Sequence, residues 1–301
     1  MSKIIKLKAG LGNQMFQYAF YRLLELKYQI NDIYLDTSYY SHPSFKKYLE
    51  FGIDKLCVNY RIAKKSDLKA IHTIYNSFKP HHFFHRLIVA LQSKFNKNYY
   101  FEKNRAYINI ETILNYSYFD GYWQSWRYIE PIKQALYLEF KPKNGLSNLS
   151  IKSIYKYKEL NSVFVGIRKG DYSSSKKNVN HYGTPSIDYY KKAIEIIYSK
   201  VHEPFFIIFS DDIEWVKHNI DFKMLGVKED SIEFRNDEFV FSSFEEMFVM
   251  ASCKHAIISN STFNFWGAWL LENNNKIVVA PKEWFKDGKP IDIIPPNWIK
   301  I

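Results

Sequence analysis

The sequence predicts an α/β protein built on parallel sheets. Three observations carry this expectation: a strand-turn-helix-strand unit opens the chain, a longer alternation of apolar strands and helices follows residue 148, and polar residues gather where several of those strands end.

Lys3 to Lys8 reads as the first strand and GLGN, Gly10 to Asn13, as a turn. Gln14 to Tyr28 reads as a helix because Phe16, Ala19, Phe20, Leu23, Leu24 and Lys27 trace one mostly apolar face. Asp32 to Asp36 follows as the next strand. From Thr37 to about Leu146 the chain is rich in Tyr, Phe, Lys and Asn, and only Ile108 to Leu114 and Tyr118 to Trp123 look strand-like. The polar stretch KPKNGLSN, Lys141 to Asn148, reads as a linker, which divides the chain into an N-terminal domain of residues 1–145 and a C-terminal domain of residues 146–301.

Beyond the linker come a β-rich run from Ser162 to Arg168, a helix from Ile187 to Ser199 and an apolar strand from Pro204 to Ser210. A helix from Ile213, a strand near Ser231 to Phe234, and a helix from Phe244 to Cys253 with Ser243 and Glu246 spaced as a capping box follow. The strand Ala256 to Ser259, a helix reaching Glu272 and the strand Ile277 to Pro281 complete a doubly wound pattern. In such sheets ligands sit outside the carboxyl ends of the strands, where the strand order switches.

Composition narrows the function classes. With 301 residues, 47% apolar and 24% charged, the chain is expected to be globular and soluble. Cys57 and Cys253 lie far apart without CxxC spacing, which argues against a zinc cluster or a disulfide framework. No signal-like or membrane-spanning apolar run is visible, so a cytoplasmic location is expected. The net charge of +11 is concentrated between Lys55 and Arg105, where only Asp67 and Glu102 oppose a run of lysines and arginines. There Phe84, Leu87, Ile88, Leu91 and Phe95 recur at helical spacing beside Arg86 and Lys94. This fits either a helix docked on its own domain or one resting on an anionic membrane surface. No nucleic-acid-binding motif accompanies the basic residues.

The polar residues at strand ends carry the chemistry. Ile257 to Ala268, IISNSTFNFWGA, places Asn260, Ser261 and Thr262 where a strand runs into a helix, and a diphosphate would meet unpaired amides, hydroxyls and a positive dipole end there. An ordinary N-cap built from Asn260 or Ser261 has the same sequence. Arg168 ends another strand and suits bidentate neutralisation of a phosphate, while Asp211 and Asp212 end a third. The alternatives are a pairing of Arg168 with Asp171 across IRKGDY and a capping role for Asp212. Near the N-terminus, Gly10 to Gln14 lacks the third glycine of a dinucleotide fingerprint, because Met15 stands there, although Asp36 occupies the place of a ribose-binding carboxylate. The Walker pattern is absent.

Taken together, GLGNQMFQYA (Gly10 to Ala19), GYWQSWRYI (Gly121 to Ile129), IRKGDY (Ile167 to Tyr172), FFIIFSDDIEWVK (Phe205 to Lys217) and CKHAIISNSTFNFWGAWL (Cys253 to Leu270) make the chain resemble the bacterial α-1,2-fucosyltransferases of glycosyltransferase family 11. The resemblance implies a GT-B fold of two Rossmann-like domains with a cleft between them. It implies a GDP-fucose donor held mainly by the C-terminal domain, and inverting transfer to a galactose-containing oligosaccharide without an obligatory metal or other cofactor. It also implies a role in surface polysaccharide synthesis, with an acceptor that is lipid-linked at the inner membrane face. By position, Arg168 resembles the arginine that binds the donor β-phosphate, and Asp211 or Asp212 the guanine-binding carboxylate. Ser261, Thr262 and Phe263 resemble the segment that wraps the diphosphate. Gly12 and Asn13 resemble the loop facing fucose and acceptor, and Asp171 is the candidate acceptor base. The family usually reads His-x-Arg-Arg-x-Asp where this chain has Gly166, Arg168, Lys169 and Asp171, which leaves a different GDP-deoxysugar, or a non-catalytic GDP-sugar-binding role, as alternatives.

Overall fold

The computed structural model describes residues 2–41, 49–69, 98–169, 185–235, 243–286 and 291–301. The chain divides into two compact units, Met1–Lys143 with Pro290–Ile293, and Asn144–Lys289 with Ile294–Ile301. Sequence spacing gave no sign that Pro290–Ile293 return to the first unit. Backbone bonding accounts for it: the Asp292 carbonyl accepts from the Trp126 amide at 2.9 Å, and its carboxylate accepts from the Tyr107 amide at 3.2 Å.

Among the described residues the first unit holds four parallel strands, β1 (Lys3–Lys6), β2 (Ile33–Asp36), β3 (Tyr99–Phe101) and β4 (Tyr118–Asp120), in the order β2-β1-β4-β3. Helix α1 (Leu11–Leu26) starts three residues earlier than the apolar period suggests. GLGN is therefore its N-cap and first turn, and Gly12 and Asn13 are helical. The helix is covered well beyond the one predicted face: Gln14, Met15, Gln17, Tyr18 and Tyr21 are buried along with Phe16, Ala19, Phe20, Leu23 and Leu24. The Trp123 ring stacks on Phe20 at 3.8 Å between centroids. Ile108 to Leu114 is not a strand; Ile110–Ile113 form a 3-10 turn, because the Asn109 side chain accepts from the Glu111 amide and caps it. β3 went unseen because three aromatic residues between polar neighbours carry no readable period.

The second unit holds β5 (Ser162–Ile167), β6 (Phe205–Ser210), β7 (Ile232–Phe234), β8 (His255–Ile257), β9 (Val278–Ala280) and β10 (Ile299–Lys300), all parallel, in the order β10-β9-β8-β5-β6-β7. This is the doubly wound dinucleotide-fold order, and its direction reverses between β5 and β8. Helix α2 (Asn148–Glu159) begins inside the stretch that reads as a linker, capped by Ser147, whose hydroxyl accepts from the Ser150 amide. Only Ser150 and Tyr157 of α2 are buried, so its sequence shows little apolar periodicity.

Residues of β5 alternate between two cores, as a strand buried on both faces requires. Val163, Val165 and Ile167 join Ile194 and Ile197 of α3 (Ile187–Tyr198) and Val216 of α4 (Ile213–Asn219). On the other face the Phe164 ring lies near Gly267, in van der Waals range of where a side chain there would begin. Helices α5 (Ser243–Ala251) and α6 (Thr262–Trp269) follow the predicted alternation. Among the described residues no helix is long and apolar enough to cross a membrane. The basic amphipathic stretch around Arg86 lies outside them.

Candidate donor and acceptor sites

In the second unit, β5 and β8 deliver their ends to the switch in strand order. Arg168 follows β5, and Asn260 and Ser261 precede α6. A cavity of about 170 Å³ beside them is lined by Arg168, Asp211, Glu246, Phe263 and Asn264. Three residues singled out from sequence, Arg168, Asp211 and Phe263, therefore share one cavity.

The Arg168 Nε lies 3.7 Å from Asp211 Oδ2. Asp211 also accepts from the Lys169 amide at 2.8 Å, so its carboxylate braces the arginine turn. Asp212 has the structural role that the residues left open. Its Oδ1 accepts from the Trp215 amide at 3.0 Å as the cap of α4. Its Oδ2 meets Lys169 Nζ at 3.1 Å. The capping bond first, and then the lysine, hold the Asp212 carboxyl below its ordinary pKa. Lys169 also lies 4.6 Å from the Trp215 ring centre, so its charge is held between Asp212 and that ring. Asp171, the candidate base, lies outside the described residues.

Ser261 is the N-cap of α6, but its side chain makes no capping bond. Its carbonyl accepts from Phe265 at 2.9 Å, the first intrahelical bond. The Thr262 and Phe263 amides find no acceptor among the described residues, which leaves the mouth of α6 able to receive an anion. Asn260 is turned elsewhere: it is 5% exposed, its Nδ2 donates to the Trp284 carbonyl at 3.0 Å, and it lines a separate cavity of about 720 Å³ with Ser186, Lys192 and Lys282. It ties the β8-α6 turn to Trp284.

Gly166 has a steric cause. A Cβ there would stand 2.0 Å from Asn264 Nδ2, and that amide is buried and donates to Ser259 Oγ at 2.9 Å. Asn264 occupies the room a side chain at 166 would need, so the two positions are complementary in size. Gly166→Ala is expected to destabilise the protein by about 1–3 kcal/mol through overpacking. Asn264→Ala in the same chain should recover much of that loss. Thermal denaturation of the three variants checks it, and equal melting of Gly166→Ala and the parent would show the contact to be soft.

The first unit also concentrates chemistry at its switch, between β1 and β4. Asp120, 2% exposed, lies 3.0 Å from Lys6 Nζ, pairs with Lys8 and accepts from Tyr99 OH at 2.7 Å. Burial alone would raise its pKa, but Lys6 and Lys8 hold it far below the carboxylate range. Glu102 accepts from the Tyr122 amide at 2.6 Å and from the Trp123 amide at 3.2 Å. Burial outweighs these bonds and pushes its carboxyl up to about 7. Gln17 ties the β1 and β4 loops, its Oε1 accepting from the Lys8 amide at 2.9 Å and its Nε2 donating to Gly121 O at 3.2 Å. Asp36 is a buried tie and not a ribose ligand, since it is 0% exposed and accepts from Tyr118 OH and the Ser38 amide. Lys8, Glu102 and Gln124 were not recognised from sequence; Gln124 lay within a quoted motif, whereas Glu102 stood alone in a basic stretch.

Both units are α/β folds on parallel sheets, and the second brings an arginine and an uncapped helix mouth to its switch, an arrangement that suits a phosphate-bearing ligand. The family model described as "Glycosyl transferase family 11" matches residues 2–301, and the chain belongs to that family. It is 30% identical to the O-antigen biosynthesis glycosyltransferase WbnK of Escherichia coli, over 98% of this chain and 99% of that one. It is 31% identical to the alpha-1,2-colitosyltransferase of Escherichia coli, over 99% and 98%. Among solved structures it is similar to E. coli ADP-heptose lps heptosyltransferase II, at 13% identity and a TM-score of 0.46, over 100% of this chain and 90% of that one.

Proposed function

We propose that this glycosyltransferase moves L-fucose from GDP-fucose to a galactoside hydroxyl in α-1,2 linkage, during synthesis of a bacterial surface polysaccharide. The observation that carries the reading is the meeting of Arg168 with the uncapped first turn of α6 at the switch between β5 and β8. A guanidinium and unpaired amides there suit a leaving diphosphate. In this reading the reaction is a single displacement at the anomeric carbon. Arg168 and the α6 dipole take up the charge that gathers on GDP, Asp211 orients Arg168 or meets the base, and Thr262 and Phe263 wrap the phosphates. Asp171 removes the acceptor proton, and no metal ion is required. Similarity to the O-antigen transferase supports the pathway. Near-equal identity to the colitosyltransferase supports a second donor, an activated colitose, in the same seat. A lipid-linked acceptor would place the chain at the inner membrane face.

Titration calorimetry with GDP, GDP-fucose and RNA, followed by transfer assays on galactose-terminated oligosaccharides with the linkage assigned by NMR, tests the reading. Expected are binding of GDP and GDP-fucose, an α-1,2-linked product, and initial rates unchanged by EDTA. Binding of GDP-fucose without transfer to any acceptor would leave a non-catalytic binding protein. Salt-sensitive RNA binding without GDP dependence would end the transferase reading.

A further inference from the structure

Two non-glycine residues with left-handed backbone flank the switch of the first sheet. Ala9 (φ 66°) follows β1 and Trp123 (φ 56°) follows β4. Such residues persist only where their surroundings over-determine them, at about 1–3 kcal/mol each. Here they are held from several sides. The Ala9 carbonyl accepts from Gln14 Nε2 at 3.0 Å and from Tyr40 OH at 2.8 Å. Glu102 fixes the Tyr122 and Trp123 amides, and Gln17 spans both loops.

This scaffold sets one contact. Gln124, 7% exposed, donates from Nε2 to Asn13 Oδ1 at 2.7 Å. Asn13 is half-buried in the first turn of α1, and its Nδ2 has no partner among the described residues. A carboxamide carries one acceptor and one donor end. With its acceptor end taken by Gln124, Asn13 has its donor end to offer.

We propose that Gln124 is a positioning residue: it fixes the Asn13 carboxamide so that Nδ2 donates a hydrogen bond to a sugar hydroxyl oxygen. The proposal rests on the transferase reading above for what binds there, and on the Gln124-Asn13 contact for how. Gln124→Glu is the decisive variant, because a carboxylate only accepts and forces Asn13 to turn Nδ2 inward.

Gln124→Glu is expected to lower kcat/KM for the acceptor at least tenfold, with GDP affinity by calorimetry within twofold of the parent. Asn13→Asp, which keeps the bond to Gln124 but offers oxygen outward, should lose a similar factor. In an Asn13→Ala background Gln124→Glu should cost nothing more, whereas a merely structural role would cost the same in both backgrounds. Independently of turnover, the Gln124 side-chain amide protons should exchange slowly in the parent and quickly in Asn13→Ala, read by NMR on the folded protein. Parent-like turnover in Gln124→Glu, equal losses in both backgrounds, or fast exchange in the parent would overturn the proposal. If the parent transfers no sugar from any donor, the transferase reading fails and the exchange measurement alone decides the positioning.

Discussion

Arg168→Ala should lower kcat by about a hundredfold to a thousandfold, the scale of about 3 kcal/mol or more for a lost charged contact to a transition state. The guanidinium stands at the end of β5, braced by Asp211, beside the open mouth of α6. Its neighbour cannot replace it. The Lys169 ammonium is bound to Asp212 and laid over Trp215, so Lys169→Ala should alter turnover far less. Arg168→Lys should recover only part of the loss, since an ammonium lacks the planar fork that meets two phosphate oxygens. Single-turnover rates with saturating donor, with GDP affinity measured in parallel, separate charge stabilisation from binding. An Arg168→Ala enzyme retaining most of its rate would remove this residue from the mechanism.

The largest effect on stability is expected at Asp120. Its carboxylate is shared by the Lys6 and Lys8 ammoniums within the first unit. Asp120→Ala would remove the carboxylate that the buried Lys6 and the half-buried Lys8 share. Breaking such a pair costs about 3–5 kcal/mol, whereas replacing all partners by apolar groups of similar size is often neutral. Asp120→Ala is therefore expected to lower Tm by roughly 10 °C or more, and Lys6→Met with Lys8→Met and Asp120→Leu should recover most of it. Because the native carboxyl is held well below its ordinary pKa, its contribution is present above the unfolded-state pKa and is lost as pH falls toward the folded-state pKa. Thermal denaturation from neutral pH into strong acid checks both points. An Asp120→Ala protein that melts like the parent would mean that water, and not the carboxylate, solvates the lysines.

The order of β5, β6, β8 and β9 was legible because these strands are buried on both faces and read as apolar runs, as in Phe205–Ser210, whereas the short edge strand β10 was not read. In the first unit the reading failed where aromatic residues serve loops and strands alike. Tyr99–Phe101 pair in the sheet, whereas Ile110–Ile113, with Glu111 and Thr112 between its two isoleucines, turn back on Asn109. Helix α2 was hidden by its polar surface, and only the Ser147 cap marked its start.

By itself the sequence determined the alternation of elements, the placing of Arg168, Asp211 and Ser261 at strand ends, and membership of a glycosyltransferase family, because burial periodicity and short motifs are local. Tertiary structure alone decided that Asn260 bonds to Trp284 and lines a cavity other than that of Arg168, that Asn264 is why residue 166 is glycine, and that Gln124 reaches Asn13. Each of these turns on a hydrogen bond or a steric limit that only the folded chain brings within range, two of them between residues about a hundred positions apart, and no local pattern encodes such a meeting.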